Sequence, residues 1–217
     1  MASSAMSELR LHSFFNSSAS YRVRIALHLK NLPFDTLPVN IRAGVHLERS
    51  YQELNYQGLV PLLDTGDLTI AQSLAIFDFL ERAFPEPALI PLAPPLRAKA
   101  LEIACYVACE MHPLNNLRVL KYLTGPLGVD EERRAQWTRH WLQQGFEALE
   151  STVEDDAAYC VGNVVTIADC FLIPQIANAK RVNFDMSSFP KLMRIDANCS
   201  TLEAFQLASP AQQPDKV

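Results

Sequence analysis

Apolar and polar positions change period several times along the first third of the chain. A short apolar run at 11–15 predicts a strand. Val23, Ala26, Leu27 and Lys30 then recur at helical spacing, which predicts a helix over 20–30 closed by Asn31 and Pro33. A second short strand is expected over 34–39 and a loosely patterned helical segment over 45–54. The runs 60–64 and 68–70 flank Thr65-Gly66-Asp67, a hairpin signal. Gln72-Ser73 opens a further helix with Leu74, Phe77, Leu80 and Phe84 on one face. The order βαβ followed by ββα joins a crossover, hence parallel pairing, to an antiparallel hairpin. It predicts an α/β, thioredoxin-like domain over 8–85, with helices on a four-stranded mixed sheet.

Pro85, Pro87, Pro91, Pro94 and Pro95 then interrupt the pattern, and 86–95 is expected to be a stiff linker. Beyond it only helical periodicity persists, so 96–212 is expected to form an all-α domain. Leu96, Ala100, Ile103, Val107, Met111 and Leu114 form one long stripe, in which Pro113 deletes a backbone donor and predicts a kink. Asp130 opens a helix carrying Trp137, Trp141, Leu142, Phe146, Leu149 and Val153. Thr166 and Asp169, three apart and ahead of Phe171, Leu172 and Ile173, allow reciprocal capping hydrogen bonds. Such a cap contributes ~0.5–2 kcal/mol to folding. Pro174 predicts a bend, residues 189–208 one or two short helices, and the polar stretch from Ser209 a loose tail.

Composition narrows the function classes. With 49% hydrophobic and 20% charged residues, the 217-residue chain has the make-up of a folded protein with a core. A net charge of −5 argues against a nucleic-acid grip, and no apolar run approaches the ~18 residues of a membrane span. Residues 1–6 lack the basic start and apolar block of a secretory signal and read as a flexible leader, with Met6 as an alternative start. Five cysteines without an export signal point to reduced thiols and a cytoplasmic protein. Cys105, Cys109 and His112 share a helical face, but a fourth metal ligand is lacking and buried cysteines mostly act as small hydrophobes. No metal is expected.

The candidate chemistry lies at the first strand-to-helix junction, Asn16-Ser17-Ser18-Ala19-Ser20. The first N–H groups of a helix lack internal partners and its dipole favours anions there. The structural alternative is that Ser20 or Ser18 only caps the helix. There is no C-x-x-C, so a thioredoxin-like domain here has no redox pair. A serine hydroxyl can instead donate to a thiolate brought by another molecule. One hydrogen bond to a charged group contributes ~1.5–3 kcal/mol and a helix N-terminus ~0.3–1 kcal/mol. At ~1.36 kcal/mol per pH unit, the two lower a thiol pKa from about 8.5 by roughly one to three.

These residues carry a resemblance. Ser-Ser-Ala-Ser-Tyr-Arg-Val-Arg-Ile-Ala-Leu at 17–27, Leu-Val-Pro-Leu-Leu at 59–63, Gln-Ser-Leu-Ala-Ile at 72–76, His-Pro-Leu-Asn-Asn at 112–116, Thr-Ile-Ala-Asp-Cys at 166–170 and Pro-Gln-Ile-Ala-Asn-Ala at 174–179 resemble zeta-class glutathione transferases, the maleylacetoacetate and maleylpyruvate isomerases. The resemblance spans about 9–214. It implies the glutathione transferase fold, glutathione as cofactor, a homodimer and a small acidic substrate. It also implies cis–trans isomerisation of a maleyl keto-acid, such as maleylacetoacetate to fumarylacetoacetate, in the breakdown of aromatic amino acids or other aromatic compounds.

Roles follow from it position by position. Ser17 matches the serine that hydrogen-bonds the glutathione sulfur, with Ser18 as a second donor. Val60 matches the residue whose backbone pairs with the tripeptide, and Pro61 the cis-proline beside it. Gln72 and Ser73 match the residues holding the γ-glutamyl end, His46 a contact to the glycyl end, and Asn116 a reach from the second domain. Arg181 matches an arginine that attracts the acidic substrate. Two positions depart from the pattern: Ala19 stands where many members have cysteine, and Asn16 where relatives carry arginine. If that arginine grips substrate carboxylates, Arg22 or Arg181 must supply the charge. The alternatives are a transferase or dehalogenase acting on small α-halo acids, and a non-catalytic binding module of the same fold.

Overall fold

The computed structural model describes residues 9–216, so the leader expected at 1–6 lies outside the described residues. The chain forms two compact units: residues up to 88 together with those from 202 onward, and residues 89–201.

The first unit begins with β1 (Leu9–Ser13), α1 (Ser18–Leu29) and β2 (Phe34–Pro38). A 3₁₀ turn at Val45–Leu47 leads to the short α2 (Arg49–Gln52), then β3 (Leu62–Asp64), β4 (Thr69–Ala71) and α3 (Ser73–Ala83). The sheet order is β2-β1-β3-β4, with β1 parallel to β2 and the other pairs antiparallel, as the mixed pattern predicts. Leu11 sits at the middle of β1, paired with Thr36 on one side and Leu63 on the other. It is fully buried with Leu62, Leu63, the α1 residues Val23, Ile25 and Leu27, and Ile76, Phe77 and Leu80 of α3. Each such side chain contributes ~1.5–3 kcal/mol by leaving water.

Two boundaries differ from expectation near the junction of interest. β1 ends at Ser13, so Phe14 and Phe15 form a loop rather than the end of a strand, although both rings remain buried. α1 begins at Ser18 because its cap is Ser17, whose Oγ accepts from the Ser20 N–H at 3.2 Å. At its other end, the buried Lys30 ammonium donates to the carbonyls of Phe84 and Pro87 and pairs with Glu81 at 2.7 Å.

The second unit is all helical: α4 (Pro94–Cys105), α5 (Leu117–Thr124), α6 (Glu131–Thr152), α7 (Ile167–Arg181) and α8 (Pro190–Ser200). Pro94 lies inside the first turn of α4, where a missing N–H costs nothing, so the helix starts within the expected linker. The long helix expected around Pro113 is divided. After α4 the chain makes a π-helical turn at Tyr106–Met111, with the His112 N–H bonded to the Val107 carbonyl, and then a 3₁₀ turn at Pro113–Asn115. The change of register accommodates the donor that Pro113 lacks. Ala100, Ile103, Val107 and Met111 stay buried through it, whereas Leu96 is exposed. Gly145 of α6 faces this turn, and a Cβ there would collide with the Met111 side chain.

The tail also differs. A last helix, α9 (Glu203–Ala208), and a 3₁₀ turn at Pro210–Gln212 pack with the first unit, so the expected 96–212 domain gives up its end. The Tyr21 hydroxyl donates to the Phe205 carbonyl, and the Asp215 carboxylate accepts from the Phe15 N–H at 2.9 Å. The tail is tied down by polar contacts that hydrophobic periodicity does not register.

Thr166 and Asp169 form the expected capping box, and Asp169 does more than cap. Its carboxylate also accepts from the Cys160 N–H at 2.8 Å, fixing the loop that precedes α7. Burial raises the Asp169 pKa, against the pull of these donors. A carboxyl with a raised folded pKa gains protons earlier in the folded than in the unfolded chain, so it opposes acid unfolding rather than driving it. Asp169→Ala removes the carboxylate half of the capping box and strands two buried N–H groups, so urea denaturation is expected to register a loss of ~2–4 kcal/mol.

Candidate active site

Of the candidate residues of the first unit, Ser17 and Ser18 stand at the N-terminus of α1, and Gln72 and Ser73 at that of α3. Ser17 is half-buried, and its N–H donates to the Phe14 carbonyl at 2.9 Å. Its Oγ accepts from Ser20, which uses a lone pair and leaves the hydroxyl proton available to a further acceptor. Capping and thiolate binding are therefore compatible in one residue, and the capping role expected of Ser20 or Ser18 falls to Ser17. Ser18 is the buried first residue of α1. Helix geometry leaves the N–H groups of Ser18 and Ala19 without intrahelical acceptors, aligned with the positive end of the dipole.

At the second helix start, Gln72 adopts φ 73°, ψ 120°, a conformation that non-glycine residues rarely occupy. Backbone strain of this kind concentrates at ligand sites. It is held here by the Ile76 N–H bonded to the Gln72 carbonyl and by Gln72 Nε2, which donates to Gln57 Oε1 at 2.6 Å. Gln57 was not a sequence candidate; it lies in a loop fifteen residues away, and only the fold joins the two amides. Ser73 follows as the buried first residue of α3, with its Oγ accepting from Arg22 Nη1 at 3.3 Å.

Arg22 requires a correction. Proposed from sequence as a source of charge for the substrate, it is 2% exposed, on the inner side of α1, with its guanidinium at Ser73. Its charge acts at the α3 N-terminus. A carboxylate placed there meets helix N–H groups, a hydroxyl and a guanidinium together.

Val60 and Pro61 lie just ahead of β3, outside the sheet register, and their peptide bond is cis, as the resemblance implied. The Leu59 carbonyl before them accepts from the Tyr51 hydroxyl at 2.7 Å and from Asn55 Nδ2 at 2.8 Å. Burial raises the Tyr51 pKa to about 12, so it remains a donor across the neutral range. His46 sits in the 3₁₀ turn before α2, and Gly58, at φ 57°, passes so close that a Cβ would lie 3.0 Å from the His46 carbonyl.

Asn116 and Arg181 belong to the second unit. Asn116 caps α5, accepting from the Arg118 N–H at 3.1 Å, with its amide 3.4 Å from the His112 ring. Arg181 ends α7 and donates to Asn178 Oδ1 at 2.7 Å. It lines a cavity of about 310 Å³ together with Arg134, Arg139, Asn115, Thr138 and Asn178. Among the described residues lining it none is acidic, although Arg134 pairs with Glu131 one turn earlier in α6. Arg134 and Arg139 were not sequence candidates. Their spacing on α6 reads as a solvated face until α5 and α7 close over it. Among the described residues no cluster of His, Cys, Asp or Glu could hold a metal.

A thioredoxin-like sheet that offers hydroxyls and helix N-termini in place of a redox cysteine pair, followed by an all-helical unit, defines the glutathione-transferase class. The family model for the glutathione S-transferase N-terminal domain matches residues 16–83. Maleylpyruvate isomerase of a Ralstonia species is 40% identical over 95% of this chain and 99% of its own. Mouse maleylacetoacetate isomerase is 40% identical over 94% of each. A holo maleylpyruvate isomerase structure, described as a bacterial zeta-class glutathione S-transferase, superposes with a TM-score of 0.93 at 40% identity, over 96% of this chain and all of that one. A Methylobacterium extorquens maleylacetoacetate isomerase solved with bound malonate and GSH gives 0.92 at 32% identity, over 96% and 99%. The chain belongs to the zeta-class glutathione transferase family of maleylacetoacetate and maleylpyruvate isomerases.

The pairing at Ser73 generates a prediction. Ser73→Ala removes the hydroxyl that accepts from Arg22 and is expected to weaken glutathione binding about tenfold, equivalent to ~1.4 kcal/mol, measured by calorimetric titration.

Proposed function

We propose that this protein is a glutathione-dependent cis–trans isomerase of a maleyl keto-acid, maleylacetoacetate or maleylpyruvate. The observation that carries the reading is Ser17, a helix-capping serine whose hydroxyl proton remains available at the N-terminus of α1. The surrounding residues fit glutathione. Val60 offers backbone beside β3, and Ser73 with Arg22 and the α3 N-terminus suits the γ-glutamyl carboxylate. Gln72 completes that end, and His46 contributes at the glycyl end.

What glutathione supplies when bound is a thiol nucleophile for reversible addition to the cis double bond, so that rotation and elimination give the trans product. The protein's part is to favour the ionised thiol and orient the acid. The Ser17 hydroxyl donates to the sulfur, and Ser18 and the dipole of α1 add to the positive potential there. With Arg22 buried beside Ser73 and asparagine at position 16, the arginine-lined cavity of the second unit, with Arg181, Arg134 and Arg139, offers the cations that an acidic substrate calls for. A guanidinium matches a carboxylate through paired hydrogen bonds.

The protein is further proposed to work as a homodimer in the cytoplasm. Leu54, Tyr56 and Leu68 are 49%, 86% and 52% exposed beside a groove between β4 and α3, a surface suited to a second copy. All five cysteines are free thiols, and among the described residues no helix is long and apolar enough to cross a membrane.

Two outcomes test the reading. Ser17→Ala should lower glutathione-dependent isomerisation of maleylacetoacetate at least ~100-fold, about 2.7 kcal/mol of transition-state stabilisation, in a stopped assay. Arg181→Gln should raise KM for the maleyl acid about tenfold while leaving glutathione affinity unchanged. Wild type that binds glutathione yet turns over neither maleyl acid, but releases halide from a small α-halo acid, would replace isomerisation with displacement.

A further inference from the structure

The loop that places Ser17 is held by the far end of the chain. Phe15 donates its N–H to Asp215 Oδ2 at 2.9 Å, across 200 residues of sequence. The neighbouring carbonyls are fixed from the other side by Arg24, which is fully buried in α1. Its Nη2 donates to the Phe15 carbonyl at 3.0 Å, and its Nη1 to the Phe14 carbonyl at 3.4 Å and to Ser13 Oγ at 2.9 Å. Its Nε donates to the Ala208 carbonyl at 2.9 Å, at the end of α9. The Phe14 carbonyl also receives the Ser17 N–H, so the fixed peptide units run directly into the cap. Beyond α9, Gln213 Nε2 donates to the carbonyls of Leu207 and Ser209, closing the turn that delivers Asp215.

We propose that the segment from α9 to Asp215 is a clasp that sets the position of the thiol-binding serine, with Asp215 and Arg24 as its positioning residues. This rests on the glutathione reading for Ser17. The physical case is one of tolerance. A hydroxyl favours a thiolate only at hydrogen-bond distance, and Ser17 sits at the end of a loop without sheet pairing of its own. Hydrogen bonds within the loop leave it free to shift as a body, whereas anchors on both faces of Phe15 do not. Asp215 also provides a negative charge near the buried Arg24 guanidinium, whose pKa burial lowers to about 10. Removing the tail's contact therefore loosens the loop and leaves a buried cation with less compensation.

The test is the ultraviolet titration of bound glutathione, which reads thiolate formation without turnover, together with steady-state kinetics. In Asp215→Ala the pH at which bound glutathione ionises should rise by about one, and kcat should fall about tenfold. KM for glutathione should move less than about threefold, because the γ-glutamyl contacts are untouched. Asp215→Asn retains an acceptor for the Phe15 N–H and should recover most of both effects. Lys216→Ala, a change at the exposed neighbour, should behave as wild type. A folded Asp215→Ala that titrates bound thiol as wild type does overturns the clasp, and so does a loss of rate matched only by a lower melting temperature. If Asp215→Ala fails to fold, Gln213→Ala gives the same decision, since it opens the turn without touching the loop. Wild type with no bound-thiol titration would overturn the glutathione reading instead. Amide exchange in the ligand-free protein then decides the clasp, through protection over 15–20 that Asp215→Ala either abolishes or leaves intact.

Discussion

The burial of the Arg24 guanidinium constrains the first unit more than any other interaction. A charge withdrawn from water costs several kcal/mol unless its donors are matched, and a guanidinium has five of them in a rigid plane. Here the acceptors are the carbonyls of Phe14, Phe15 and Ala208 and the hydroxyl of Ser13. Those acceptors explain two departures from regular structure. The strand stops at Ser13 because the next two carbonyls turn inward to the cation, and the end of the chain returns to the first unit because one acceptor lies at the end of α9. The Tyr21 ring, 5.5 Å from the guanidinium carbon, adds a polarisable wall, and its hydroxyl anchors α9 again through Phe205. The charge persists at neutral pH even with its pKa lowered to about 10.

The same interaction marks where sequence reasoning succeeded and where it ended. Apolar spacing located the four strands and the principal helices, because Leu11, Val23, Leu27, Phe77 and Leu80 are buried for the reason periodicity assumes. The capping box at Thr166 was legible because its bonds are local. Arg22 and Arg24 were not legible as core. Charged residues are expected outside, and contacts such as those of Arg22 with Ser73 and of Arg24 with the loop and α9 make their burial tolerable. The tail, Gln57 beside Gln72, and the arginines of α6 were hidden for the same reason. Each owes its setting to elements far away in sequence, and no local pattern encodes it.

The candidate site residues came from the sequence alone. The match at Ser17, Val60-Pro61 and Gln72-Ser73 named positions that the structure places at two helix starts and beside a cis peptide. What the structure adds is a division of charge. Arg22 stands behind Ser73 in the first unit, and the exposed Arg181 lines a separate arginine-rich cavity in the second.

Serine at position 17 suits both structural and chemical demands in a way its neighbours in chemistry do not. Aspartate would cap α1 equally well, but its charge would repel a thiolate. Alanine would leave the Ser20 N–H without its acceptor and offer the sulfur nothing. Cysteine would donate weakly and bring a second reactive thiol beside the first. A hydroxyl alone accepts from the helix with one lone pair while keeping its proton to donate outward, so in the proposed reading the bond that starts α1 also orients the group that would meet the sulfur. The proposed clasp on Phe15 would matter because such dual use leaves little freedom. If Ser17 shifts to follow one partner, it loses the other, so the loop before it has to be fixed by contacts outside the helix it begins.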